Sequence, residues 1–217
     1  MNKELTEIVF IIDKSGSMAG LEADTVGGFN SLLEKQKKEP GRALISTVLF
    51  DTECSVLYDR AELSGIEPMT EDSYCPGGCT ALLDAIGGAV KHISNVHRYA
   101  REEDVPGKTV FVITTDGMEN SSRRYSYDEV RKAVKRAQEK DGWEFLFLGA
   151  NMDAIKAARS FGIREERAVR YNCDEEGTAL NFRTVSKALG KMRSCGAIPD
   201  TWKEEIDRDY AQRGGDR

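Results

Sequence analysis

Apolar residues recur along the chain in two alternating rhythms. Short runs rich in β-branched and aromatic residues occur at Glu7 to Ile12, Ala43 to Phe50, Thr109 to Thr115, Glu144 to Gly149 and Arg167 to Tyr171. A run apolar on both faces predicts a strand buried between two layers, as in a parallel sheet. Between these runs, apolar residues return every three or four positions. Leu21, Thr25, Phe29, Leu32 and Leu33 form one such stripe, which stops before Pro40-Gly41. Leu82, Ile86, Ala89, Val90 and Ile93 form a second. Val130, Ala133, Val134 and Ala137 form a third, behind the capping box Ser126-Tyr127-Asp128-Glu129. Two more stripes follow, Asp153 to Phe161 closed by Gly162, and Thr178, Phe182, Val185 and Leu189 closed by Gly190. Such spacings predict helices, with the box and the glycines marking their ends.

One strand breaks the alternation. Cys54 to Tyr58 follows its predecessor after only Asp51-Thr52-Glu53. A parallel neighbour needs a long crossover, so this tight link predicts an antiparallel hairpin at the sheet edge. The pattern as a whole predicts an α/β fold of six strands, mostly parallel, with helices on both faces. Gly87-Gly88 lies inside the second helix, where each glycine costs about 1 kcal/mol against alanine. Close packing of that helix on the sheet is the expected reason. Glu62 to Cys79 is the longest irregular stretch, and long loops in compact domains are often functional. Residues 1–195 read as one domain and 196–217 as a charged tail. Trp202 is expected to anchor the start of that tail, and Gln212 to Arg217 to be disordered.

Composition narrows the function. The chain has 217 residues, with 31 basic against 37 acidic and a net charge of −6. A negative field disfavours nucleic acid and anionic membrane surfaces as partners. The pairs Arg123-Arg124 and Arg131-Lys132 read as solvated faces. No apolar run approaches the roughly 20 residues of a membrane span. The first residues lack a signal-peptide pattern, so a cytoplasmic location is expected. The cysteines number five, an odd count that argues against a disulfide framework. Cys75 and Cys79 bracket Pro76-Gly77-Gly78 and read as free thiols; a redox pair or a metal clip is the alternative.

The chemistry gathers at strand ends. In open α/β sheets, ligands bind beyond the carboxyl ends of the strands, near the point where strand order reverses. The first strand ends in Asp13-Lys14-Ser15-Gly16-Ser17, and the Thr109 strand ends at Asp116. In extended backbone, positions 13, 15 and 17 share one side, and Gly16 permits a turn that brings Ser17 inward. Carboxylates and hydroxyls form an oxygen-only set, suited to a hard cation and wrong for a soft one. Taken singly, each residue is also an ordinary cap or turn residue. Their conjunction is what points to a site.

Asp13-x-Ser15-x-Ser17 after a strand resembles the first part of the metal-ion-dependent adhesion site of von Willebrand factor A domains. Thr80, in Gly77-Gly78-Cys79-Thr80-Ala81-Leu82, resembles its second part. Asp116, in Thr114-Thr115-Asp116-Gly117, resembles its third. The resemblance covers roughly residues 7–190, and the Thr114 to Gly117 region is similar to small stand-alone bacterial members associated with tellurite resistance. It implies a Rossmann-like von Willebrand factor A fold. It also implies one divalent cation, magnesium or manganese before calcium, held by Asp13, Ser15, Ser17, Thr80 and Asp116. Ser15, Ser17 and one or both of Thr80 and Asp116 would touch the metal, and Asp13 would act partly through water. With few charges in direct contact, the cation would take a Glu or Asp carboxylate of a partner protein. Two departures stand out. Cys79 replaces the usual small residue before the Thr, and is expected to be a buried spectator. Lys14 is expected to point away from the metal, or else to recruit the acidic partner.

An enzymatic reading finds less support. Gly16-Ser17-Met18-Ala19-Gly20 is out of register with a nucleophile elbow, and no phosphate-binding Gly-Lys-Ser/Thr occurs. The two histidines, His92 and His97, are expected to face solvent, so no Ser/His/Asp triad assembles. A metal-dependent hydrolase or phosphatase using the same site is the alternative, and a scaffold with a vestigial site is a third reading. Met118 to Ser122 is expected to line the partner surface, and Asp24 and Asp51 to be solvated acids.

Overall fold

The structure, a computed structural model, describes residues 1–150 and 153–213. Its sheet has the strand order β3-β2-β1-β4-β5-β6. In chain order the strands are β1 (Asn2–Asp13), β2 (Arg42–Phe50), β3 (Cys54–Glu62), β4 (Pro106–Thr115), β5 (Glu144–Gly149) and β6 (Ala168–Arg170). Every neighbouring pair is parallel except β2 with β3. The short Asp51-Thr52-Glu53 link therefore makes the edge hairpin its length predicts.

Among the described residues six α-helices pack on the sheet: α1 (Glu22–Gln36), α2 (Leu82–Tyr99), α3 (Tyr127–Asp141), α4 (Ala154–Ser160), α5 (Glu175–Cys195) and α6 (Glu204–Arg213). Strand alternation sorts them into two layers. Ile8, Phe10 and Ile12 of β1 face one core with Phe29 and Leu32 of α1 and Val185 and Leu189 of α5. Val9 and Ile11 face the other core with Ile86 and Val90 of α2 and Val134 of α3. β1 is buried on both faces because it sits mid-sheet between these layers. The residues that follow β1 and β4 consequently emerge side by side at the reversal of strand order.

Three details depart from the sequence-based expectation. Helix α5 runs through Gly190 and ends at Gly196, whose φ of 85° is left-handed. Gly190 is a close approach instead, since a Cβ there would lie 3.0 Å from Glu39 Oε1 of the loop after α1. Gly87 likewise makes room for a side chain rather than the sheet, its absent Cβ falling 2.6 Å from the Tyr125 ring. The charged segment after residue 195 is anchored at Trp202 as expected, but it continues into a helix, α6, that the sequence pattern did not predict. Trp202 and Ile206 are buried in the α1/α5 core, and Trp202 Nε1 donates to the Glu166 carbonyl at 2.9 Å. Gln212 and Arg213 close α6, and Arg213 pairs with Asp174 at 2.8 Å. The remaining residues of the expected disorder, 214–217, lie outside the described residues.

Arg193 ties the α1/α5 layer together. It is 8% exposed and donates to the carbonyls of Gln36, Glu39, Pro40 and Gly41. One of these, Gln36, is the last residue of α1, whose final carbonyls have no partner within the helix; the other three belong to the loop that follows, so this one guanidinium fixes the exit from α1.

Candidate metal centre

The site is assembled by three loops that lock one another. After β1, the Asp13 carboxylate accepts from the Ser15 amide at 2.7 Å, which folds the loop back on itself. The Lys14 carbonyl accepts from the Gly77 amide at 2.9 Å, and the Gly16 amide donates to the Gly78 carbonyl at 3.2 Å. The long polar loop therefore lies against the first one. Gly78 takes a left-handed φ of 66°, with Thr52 Oγ1 2.6 Å from where its Cβ would stand. The Tyr74 hydroxyl donates to the Asp13 carbonyl and is itself buried.

The third loop follows β4. Ser17 Oγ donates to Asp116 Oδ1 at 2.7 Å, and Ser15 Oγ lies 3.2 Å from Ser17 Oγ. Asp13, Ser15, Ser17 and Asp116 thus form one connected cluster. Thr80 joins from the Gly117 side, its Oγ1 2.7 Å from the Cβ position of Gly117. Its amide donates to Asn120 Oδ1 at 2.9 Å, and its carbonyl accepts from the Asn120 amide. Four of the five residues are buried, and Ser17 alone is exposed, so the cluster opens to solvent at Ser17. A cleft of about 490 Å³ begins there, bordered by Leu21, Asp24, Cys173 and Asp174.

The electrostatics of this cluster suit a cation. Burial, followed by the neighbouring charge of Asp116, pushes the Asp13 carboxyl above the usual carboxylate range, against hydrogen bonds from Thr115 and Ser15 that pull it down. Two carboxylates and three hydroxyls are hard oxygen donors, and a bound cation would relieve both the desolvation and the repulsion. The residues present therefore fit a divalent metal. Among the described residues no group of three or more His, Cys, Asp or Glu is placed to hold one, which leaves the hydroxyl-rich cluster as the candidate.

Several positioning residues were not anticipated. Thr115 donates its hydroxyl to Asp13 Oδ2. Glu119 accepts from the Leu83 amide at 2.7 Å, and Ser122 Oγ from the Asp84 amide at 3.0 Å. These supply the start of α2, which has no cap of its own. Asp84 in turn accepts from the amides of Arg123, Arg124 and Tyr125. The Met118 to Ser122 segment is therefore chiefly a brace, and only Met118, at 70% exposure, offers an apolar surface beside the site. Cys173 places its thiol 3.8 Å from Asp116 Oδ2; burial and the Asp116 charge push it up to about 12.

Other expectations change. Lys14 is paired with Asp51, so it is not a free charge for recruiting a partner and Asp51 is not simply solvated. Burial opposes ionisation of Asp51, but the Glu53 amide and Lys14 outweigh it and hold the carboxyl below its usual range. Cys79 is exposed rather than buried. His92 is exposed and pairs with Asp59, whereas His97 turns inward to the fully buried Glu7. All five cysteines are free thiols.

Comparison with solved structures places this architecture. The domain from the type V pilus tip protein Mfa5 of Porphyromonas gingivalis, a vWF domain, matches with a TM-score of 0.61 at 12% identity, over 90% of this chain and 98% of that one. This is the von Willebrand factor A fold. The pilus adhesin SpaC of Lactobacillus rhamnosus GG matches its fold with a TM-score of 0.66 at 11% identity, over 88% of this chain and 31% of that one. Proximal thread matrix protein 1 from mussel byssus matches with a TM-score of 0.57 at 15% identity, in a structure whose MIDAS motif is occupied by zinc. This chain spans 47% of that mussel protein's length. No protein-family profile and no curated protein matches the sequence. No described helix of this von Willebrand factor A fold is long and apolar enough to cross a membrane.

Proposed function

We propose that Asp13, Ser15, Ser17, Thr80 and Asp116 hold one hard divalent cation, magnesium or manganese, through which the domain binds an acidic side chain of a partner protein. The observation that carries this reading is the Ser17–Asp116 hydrogen bond, which joins the two strand-end loops at the one exposed member of the cluster. Hydroxyls would contribute direct contacts without charge, leaving the cation short of negative charge and receptive to an outside carboxylate. Magnesium keeps exchangeable waters that such a carboxylate can replace. The partner's acid would need the metal, because Lys14, the lysine within the first loop, is already paired. Met118 would add apolar contact beside it.

A binding role accounts for the site better than hydrolysis. Both Asp13 oxygens are engaged, one by the Ser15 amide and one by the Thr115 hydroxyl. The histidines are committed to Asp59 and Glu7, away from the cluster. Neither histidine is therefore available as a general base beside the candidate metal. The mussel protein's zinc supports a divalent ion in this position of the fold, so zinc belongs in the same titration. The test is capture of an acidic partner with and without magnesium, with Asp116→Ala as control. Capture that requires magnesium and fails in the variant is expected; capture that persists in EDTA would overturn the proposal.

A further inference from the structure

A second concave site lies on the α2/α3 layer, away from the metal cluster. A cavity of about 840 Å³ runs along the groove between α2 and α3 toward the amino ends of β1 and β4. Ligand pockets typically span roughly 300–1,000 Å³. Its rim carries Lys91 and Arg98 from α2 and Arg136 and Lys140 from α3. Among the described residues Asp141 is the one acid in its lining. Among the described residues, none of these four cations is paired with a carboxylate. In a chain of net charge −6, four unpaired cations around one hollow make a local positive field against the general trend. Like charges converging on a concavity repel one another, and a bound anion relieves that repulsion.

The floor is built rather than incidental. Glu7 on β1 is fully buried and faces the α2/α3 layer. Arg60 Nε donates to its Oε1 at 2.6 Å, and His97 Nε2 bonds its Oε2. Arg60 reaches Glu7 from the edge strand because β3 bulges there. Its φ is 49°, and its amide donates to Ser46 Oγ at 3.0 Å. His97 then sits edge-on to Trp143, with ring centroids 5.3 Å apart. A buried carboxylate thus holds a histidine in place at the base of a cationic cavity, with Tyr125 and Trp143 in its wall.

We propose that this cavity binds a small phosphate-bearing molecule. Guanidinium forks and ammonium groups together match phosphate oxygens, and the volume exceeds what a lone phosphate needs. The body of the ligand would rest against Tyr125 and Trp143. The site is independent of the metal centre.

The test is calorimetric titration of the full chain with inorganic pyrophosphate in EDTA, so that no divalent cation takes part. Saturable binding is expected, weakened about tenfold or more by Lys91→Gln with Arg136→Gln. Both residues are exposed on helix surfaces, and circular dichroism checks that the double variant folds. Asp116→Ala is expected to bind pyrophosphate as the unaltered chain does. No saturation at millimolar pyrophosphate would overturn the proposal, as would equal affinity in the double variant.

Discussion

Ser17 donates a 2.7 Å hydrogen bond to Asp116 across 99 positions of sequence. The bond closes the cluster by pairing a hydroxyl with one of two neighbouring carboxylates. Binding a cation would trade this bond for coordination, so the two residues report on loading from both sides. Asp116→Asn should keep the fold, because it removes the charge that repels Asp13. The expected outcome in a thermal melt is an unchanged or higher midpoint in EDTA and no rise on adding magnesium or manganese. The unaltered chain should rise with cation concentration, since a ligand bound only by the native state stabilises it.

The Asp13 carboxyl gives a pH dependence whose sign is fixed. Its folded-state value is raised, chiefly by burial and then by Asp116. A raised group contributes stability that is present at acid pH and lost as pH climbs through the folded value. Without metal, ionised Asp13 therefore costs stability at neutral pH, and Asp13→Asn escapes that cost. Urea unfolding in EDTA should show the variant's advantage over the unaltered chain shrinking as pH falls toward the carboxylate range. An advantage constant with pH would show that Asp13 carries no such penalty.

Gly117 tests the placement of Thr80. An added methyl would fall 2.7 Å from Thr80 Oγ1, and buried overpacking costs about 1–3 kcal/mol. Gly117→Ala should displace Thr80 and blunt the cation-dependent rise in melting temperature. Gly77→Ala is the matched control, since nothing lies within 4 Å of its Cβ position. It should melt and respond to cation as the unaltered chain does.

Much of the fold was legible because β1 and β4 are buried on both faces and read as continuous apolar runs. The Asp residues that end them were legible for the same reason. What sequence could not show was which polar residues brace the site. Thr115, Glu119 and Asn120 look like ordinary turn residues, and their roles arise from contacts with Asp13, Leu83 and Thr80 across the sheet edge. The Thr-Thr-Asp-Gly string was the one available signal. Gly190 misled because a glycine after an apolar stripe usually ends a helix, whereas here it admits Glu39. His97 misled because its acidic partner, Glu7, hides inside an apolar strand.

Arg193 should matter to stability far more than its charge suggests. From a buried position it donates to the last carbonyl of α1 and to three carbonyls of the loop after it. Hydrogen bonds to charged groups contribute about 1.5–3 kcal/mol each before desolvation is counted. Arg193→Leu should cost about 3 kcal/mol in chemical unfolding. The cation response of the fraction that remains folded should be intact.

Thiol chemistry maps the same surface. Cys75 and Cys79 are exposed, whereas Cys173 is held protonated, its value pushed up to about 12 by burial and Asp116. Alkylation followed by mass spectrometry near pH 8 should label Cys75 and Cys79 well before Cys173. Early labelling of Cys173 would mean that the Asp116 corner is more open than it stands here.

If oxygens from three loops surround one cation, crystals grown with manganese and measured at its absorption edge will show where it sits. A single anomalous peak is expected among Asp13, Ser15, Ser17, Thr80 and Asp116, absent in Ser17→Ala with Asp116→Ala. A peak elsewhere, or no peak at saturating manganese, would contradict this arrangement.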